Sequence, residues 1–150
     1  MSGGLSNSFL ERIGKKILGS DFVGVFPCDV HRKSRKKTYL IIFNTGRKNT
    51  LGEHFVAIKI GKKSVFYFDP FGEPPTNSFI KEYISKLKRP LNWNIVQIHH
   101  NSSNFCGFYC LAYLMSVKKK MSFKKFLNLF SIQNKKSNDK KVVDFIVSNL

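Results

Sequence analysis

The hydrophobic pattern of this chain changes period several times, and each change marks a predicted element. Thirteen residues from Phe105 to Val117 carry no charge and follow a polar, turn-prone stretch, Asn101 to Asn104. A helix starting near Cys106 and buried along most of its length is predicted there. Near the amino end, Phe9, Ile13 and Ile17 recur at helical spacing, which predicts an amphipathic helix over about 8–18 that Gly19 stops. Phe22 to Phe26 reads as a short extended piece before Pro27. Thr38-Tyr39-Leu40-Ile41-Ile42-Phe43 is β-branched and apolar on both faces, the pattern of a central strand. His54 to Ile60 and Lys63 to Asp69 are apolar runs joined by Gly61-Lys62, which predicts a hairpin with a two-residue turn.

Pro70-Phe71-Gly72-Glu73-Pro74-Pro75 cannot continue a strand and reads as a rigid loop. A helix over 76–87 follows, capped near Thr76 or Asn77, with Phe79, Ile80, Tyr83, Ile84 and Leu87 inward and Pro90 closing it. Trp93 to His99 alternates as a strand. Ser122 is placed to cap a short helix to about Phe130, Gln133 to Asn138 reads as a polar linker, and a last helix carries Val142, Val143, Ile146 and Leu150. The sum is one α+β domain over 1–150, without repeats and large enough to bury roughly two thirds of its unfolded surface.

Composition adds one large fact. Lys and Arg number 26 against nine Asp and Glu, for a formal charge of +17, and 21 of the cations are Lys. Lysine binds phosphate as a point charge without arginine's fork, so nucleic-acid contact of this kind is salt-dependent and indifferent to sequence. The segment from His31 to Lys37, with five cations in seven residues, reads as an exposed loop suited to phosphate or simply to water. Three cysteines, Cys28, Cys106 and Cys110, make no even-numbered disulfide framework and suit a reducing, intracellular setting. The longest apolar stretch is too short for a bilayer span of about 20 residues, and the amino end lacks a signal-peptide core; a soluble monomer with no membrane contact is expected.

Candidate chemistry gathers at three residues. Cys106 falls in the first turn of the predicted helix, where unpaired N–H groups and the dipole favour the nucleophilic thiolate. With Gly61-Lys62 as the turn, Ile60 faces Lys63, and counting outward sets His54 opposite Asp69 on one face. A cysteine nucleophile, an imidazole base and a carboxylate that orients the imidazole are the parts of acyl transfer to water. Read separately, Cys106 is also a small buried hydrophobe, His54 a structural histidine and Asp69 a turn former before proline. Cys110, one turn on, reads as core. A zinc site from Cys28, His31, Cys106 and Cys110 is the competing chemistry, but the spacing lacks matching downstream ligands. No metal or cofactor is expected.

Three stretches also resemble the adenovirus endoprotease (adenain) family and its relatives in large DNA viruses and virus-like transposons. They are Asn44-Thr45 with the loop to Gly52-Glu53-His54-Phe55, Tyr67-Phe68-Asp69-Pro70-Phe71-Gly72, and Asn101 through Cys106-Gly107-Phe108-Tyr109-Cys110. The resemblance implies a papain-like cysteine-protease fold with a mixed or antiparallel sheet flanked by helices, and a triad of Cys106, His54 and Asp69. It implies polypeptide substrates cut after Gly-Gly or Gly-x during particle maturation, in the host nucleus or virion, with DNA or a short peptide as activator. Where the family commonly has a glutamine oxyanion donor, seven residues before the cysteine, this chain has His99; Gln97 is the alternative donor. No cysteine lies between Cys28 and Cys106, so a disulfide-linked peptide activator is not expected at the equivalent region. Met1-Ser2-Gly3-Gly4 before Leu5 has the form of a processing site. The rival expectations are a protease for ubiquitin-like modifiers and a basic nucleic-acid-binding protein with no catalysis.

Overall fold

Residues 6–47 and 54–150 are described by the computed structural model, in which the apolar strands assemble into one five-stranded mixed sheet. The strands β1 (Phe22–Pro27), β2 (Tyr39–Asn44), β3 (Phe55–Ile60), β4 (Val65–Phe68) and β5 (Leu91–Trp93) lie side by side in chain order. The β1/β2 and β4/β5 pairs are parallel, while β2/β3 and β3/β4 are antiparallel. Among the described residues five α-helices flank the sheet: α1 (Asn7–Leu18), α2 (Ser78–Leu87), α3 (Cys106–Lys118), α4 (Phe123–Leu127) and α5 (Asn138–Ser148). This is the α+β class predicted. The candidate processing site at Met1 to Gly4, and the loop 48–53 with Gly52 and Glu53, lie outside the described residues.

Alternation along the strands sorts the core into two layers. Ile41 and Phe43 of β2, Val56 and Ile58 of β3 and Tyr67 of β4 pack with Ile80, Tyr83 and Ile84 of α2. Leu40, Ile42, Phe55, Ala57 and Phe68 pack on the other face against α3, joined by Leu10 and Leu18 of α1 and Val142 and Ile146 of α5. Ten of the thirteen α3 residues are buried, as an uncharged helix covered on all sides must be. Full burial of each large apolar side chain stabilises by about 1.5–3 kcal/mol, so α3 is the anchor of the molecule and its first turn has a fixed position.

Several predicted details change. The buried face of α1 is Leu10, Gly14 and Leu18, while Phe9 is exposed beneath the Arg12 guanidinium. Gly14 sits on that face because the Phe22 ring occupies the place a Cβ would take. The hairpin turns one residue later than predicted: Ile60 pairs with Val65, and Gly61 N–H donates to Ser64 C=O (2.8 Å), so Lys62-Lys63 is the turn. Arg89 causes part of this, because its Nη1 donates to the carbonyls of Gly61 (2.6 Å) and Lys37 (2.8 Å) and ties the turn to a neighbouring loop.

The predicted strand over Trp93–His99 stops at Trp93. Pro70 has no N–H to extend the ladder, and the Asn94 side chain takes the place of a strand partner, accepting from Asp69 N–H (3.0 Å) and donating to Asp69 C=O (2.8 Å). The N–H groups of Ile98 and His99 both go to the Pro70 carbonyl. The short helix capped by Ser122 ends at Leu127 rather than near Phe130. The polar stretch 133–138 is not a plain linker, for it contains a 3-10 turn and ends in a fully buried Asn138. That side chain accepts from Ser131 N–H (2.8 Å) and donates to the carbonyls of Ile98 and Ser131 (both 2.8 Å). Leu150 is exposed beyond the end of α5.

Replacing Asn138 by Ala would leave three backbone groups without partners, the Ile98 carbonyl fully buried and the two of Ser131 partly so. Each such group costs about 1–3 kcal/mol, so Asn138→Ala is expected to lower unfolding free energy by about 3 kcal/mol in urea titration. A loss under about 0.5 kcal/mol would show that these bonds do not brace the molecule.

Candidate active site

Three elements end at the same corner of the sheet. Beyond β2, Thr45 N–H donates to the His54 carbonyl (2.7 Å), carrying the β2/β3 ladder one step further and fixing the His54 backbone. On the adjacent strand, Asp69 follows β4 directly and is held by Asn94 as described. From across the sheet, α3 presents Cys106 in its first turn, and Phe55 N–H points at Cys106 Sγ (3.4 Å). Phe55 packs in the layer against α3, and the imidazole of His54, one residue back, lies against Asp69 and Phe71 at the same corner.

The structure brings His54, Asp69 and Cys106 together. His54 Nε2 lies 2.8 Å from Asp69 Oδ1, and Cys106 is close enough to act on the charge of the same imidazole. With Nε2 at the carboxylate, Nδ1 is left for the sulfur. The register that predicted this contact is off by one turn position, yet the contact survives. The observed pairing ends at Ala57 and Phe68; continued one step it sets Asp69 opposite Val56, which makes His54 and Asp69 diagonal neighbours, and the two-residue shift keeps both on the same face. Asp69 Oδ1 also accepts from Phe71 N–H (2.8 Å), so it is a turn former and the imidazole's partner at once.

Electrostatics at the corner favour a charged imidazole. Burial alone would lower the His54 pKa, but the hydrogen bond to Asp69, and after it the interaction with Cys106, outweigh burial and raise it to about 9. Phe71 lies over the imidazole, with ring centroids 4.8 Å apart and planes 26° apart, and limits its rotation. Cys110 is fully buried one turn along α3, and burial pushes its thiol pKa well up, the chemistry of an inert core cysteine. Among the described residues no group of three His, Cys, Asp or Glu is placed to hold a metal ion. Cys28 sits elsewhere, its thiol donating to the Thr45 carbonyl (3.2 Å).

His99 and Gln97 occupy different settings. His99 is only 1 % exposed and lies against Phe71 (4.5 Å between centroids) and Tyr109 (5.0 Å). Neither ring nitrogen has a well-formed hydrogen bond, the backbone of Ser103 acting on it only weakly. Burial, and then the charge on His54, hold its pKa down to about 4. Gln97 faces a groove beside His54, where its amide donates to Asn101 Oδ1 (2.6 Å) and the His99 carbonyl (2.8 Å).

Sequence reasoning missed the braces. Asp139, in the first turn of α5, accepts from the hydroxyls of Ser103 (2.9 Å) and Tyr109 (2.8 Å), and Ser103 Oγ accepts from Phe105 N–H (3.1 Å). The approach to Cys106 is thereby tied to the last helix. Nothing in local periodicity marks Asp139, Asn138 or Asn94; their only signal is an amide or acid at the edge of an apolar run.

Two opposite pH dependences follow. His54 holds its proton more tightly when folded, so its contribution to stability is complete below about pH 6.5 and is lost as pH rises toward 9. His99 resists protonation when folded, so its contribution is complete above about 6.5 and is lost as pH falls toward 4. Histidine-ring NMR at pH 7 is expected to show His54 as imidazolium and His99 as neutral, with Asp69→Asn lowering the His54 titration. His99→Phe, which keeps a ring between Phe71 and Tyr109, should flatten only the acid side of urea midpoints measured from pH 4 to 9. A His54 that titrates near 6.5 in the native protein would refute the assignment.

No protein-family model matches the chain, and no curated protein matches its sequence. Solved structures do match in fold. Two crystal structures of the ASFV pS273R protease align with TM-scores of 0.54 and 0.57 at 18% and 17% identity, over 85% and 90% of this chain. The chain spans 62% and 65% of those two chains, less than two thirds of the ASFV protease. The SUMO protease Ulp1, with its catalytic cysteine oxidized to a sulfinic acid, aligns with a TM-score of 0.57 at 10% identity, over 99% of this chain and 79% of its own. The mixed sheet with its flanking helices is thus the α+β fold that the ASFV pS273R protease and the SUMO protease Ulp1 also adopt.

Proposed function

We propose that this chain is a cysteine endopeptidase working through Cys106, His54 and Asp69. The observation that carries the reading is the imidazole of His54 set between the Asp69 carboxylate and the Cys106 sulfur. The thiolate attacks the scissile carbonyl, and the imidazolium passes its proton to the leaving amine. Water then hydrolyses the thioester, with the neutral imidazole taking its proton. Asp69 keeps the ring turned toward the sulfur throughout.

The tetrahedral oxyanion meets the Cys106 backbone N–H, which has no carbonyl one turn back to bond. His99 is the second donor in this proposal. Its ring makes no well-formed hydrogen bond, whereas the Gln97 amide is already engaged. To reach His99, the side chains that enclose it must open as substrate enters.

The proposed substrates are polypeptides cut after Gly-Gly or Gly-x in viral or virus-like precursors, within a nucleus or an assembling particle. Gly107, directly after the nucleophile, leaves room for a narrow substrate backbone. The charge of +17 supports DNA as a sequence-indifferent activator or track. A modifier protease is the second reading, supported by the likeness to the SUMO protease Ulp1 over 99% of this chain.

A Gly-Gly peptide carrying a thiol-reactive carboxyl-terminal group is expected to label Cys106 in preference to Cys28 and Cys110. Quenched Gly-Gly peptides should be cut, with Cys106→Ala losing at least about 10³-fold in kcat/KM and Asp69→Asn about 10²–10⁴-fold. His99→Gln should retain most activity, while His99→Phe should lose about 10²-fold in kcat. Selective cleavage of a modifier-reporter fusion over the peptide would favour the second reading. Hydrolysis unchanged in Cys106→Ala would end both.

A further inference from the structure

In a chain this basic, free carboxylates are scarce. Of nine acidic residues, Glu53 lies outside the described residues, and the others are engaged with one exception. Lysines hold Asp21, Glu82 and Asp144, while backbone or hydroxyl donors hold Glu11 and Asp139. Asp29 also has a partner, and Asp69 holds His54. The exception is Glu73, which is exposed and has no ion pair or hydrogen bond among the described residues.

Glu73 lines a groove of about 610 Å³ shared with His54, Asp69, Asn77, Gln97 and Asn101. No lysine or arginine is among its described lining residues, although the chain has 26 of them. The volume is that of an ordinary ligand site. The position of Glu73 is also fixed. Gly72 before it has φ +74, and a Cβ there would stand 2.8 and 2.9 Å from the Val96 and Gln97 backbone, so the turn lies flat on the 95–97 segment. Gly72 N–H donates to the Asp69 carbonyl (2.8 Å), and Pro74-Pro75 stiffen the exit. A carboxylate presented from so rigid a loop loses little freedom on binding.

The groove also has a side. It is lined by His54 and not by Cys106. His54 is the group that protonates the leaving amine, so the substrate segment beyond the cut bond lies on this side of the sulfur. We infer that this groove is a subsite for a cationic side chain, Lys or Arg, in the leaving segment of a polypeptide substrate, and that Glu73 reads it. The inference rests on the proteolytic reading and names its substrate class. The wider +17 field repels cationic peptides at a distance, so the effect of Glu73 is discrimination at contact rather than faster encounter.

Two assays test it. Quenched Gly-Gly peptides with Lys, Gln or Glu at successive positions after the cut, and at matching positions before it, give kcat/KM. Labelled leaving-segment peptides with the same substitutions, titrated into Cys106→Ala protein, give affinity without chemistry. At one position after the cut, Lys is expected to exceed Gln by about fivefold and Glu by about tenfold, the scale of one partly exposed ion pair and its reversal. Glu73→Lys should invert the order. Glu82→Lys, with the same change in net charge on α2 outside the groove, should preserve it. Cleavage with no charge preference, a preference that survives Glu73→Lys, or one confined to positions before the cut overturns the subsite and leaves proteolysis standing. Binding of the Lys peptide that depends on Glu73, with no peptide cut by the wild type, overturns proteolysis and leaves the cation site.

Discussion

A proton held on a half-buried imidazole is the interaction on which this molecule's arrangement turns. His54 is largely removed from water, and burial taken alone would strip its charge; Asp69 on one side and Cys106 on the other reverse that result. The three groups come from the end of β3, the residue after β4 and the first turn of α3, so the charge persists only while sheet and helix keep their mutual position. The fold supplies that by burying most of α3 against the sheet on one side and α5 on the other.

The supports around the charge are polar and specific. Asn94 replaces a missing strand partner for Asp69, Pro70 offers its carbonyl to two successive N–H groups, and Asp139 ties Ser103 and Tyr109 to the last helix. Each bond runs between segments far apart in the chain. Most of them also satisfy a buried group that would otherwise cost free energy, so stability and site geometry share the same contacts. Phe71 joins the two systems, because its ring covers both His54 and His99. His99 is kept neutral a ring's width from a charged neighbour, and this contrast between two histidines marks the corner as electrostatically organised.

Charge is distributed with equal consequence. Lysines dominate the sequence, yet the groove next to His54 carries Glu73 and Asp69 and no described lysine or arginine. The two proposed partners divide along this line: polyanions over the basic exterior, and a cationic side chain in the acidic groove.

The sequence by itself determined the periods. An uncharged run of thirteen residues can only be a buried helix or strand, and Gly19, Asn77 and Ser122 cap or stop their helices through local backbone chemistry that needs no partner. Side-chain parity was also legible: His54 and Asp69 share a face whichever of the two turn positions the hairpin uses, because a strand repeats every two residues. The motifs around residues 54, 69 and 106 carried the fold expectation further than any one of them could alone. Tertiary structure alone decided the register, to which Arg89 contributes from a distant loop, and the end of β5, where an Asn side chain replaces the ladder. It alone buried Asn138, enclosed His99 and left Glu73 unpaired. Those outcomes depend on groups brought within hydrogen-bonding range by packing, and local periodicity contains no term for a neighbour thirty or forty residues away.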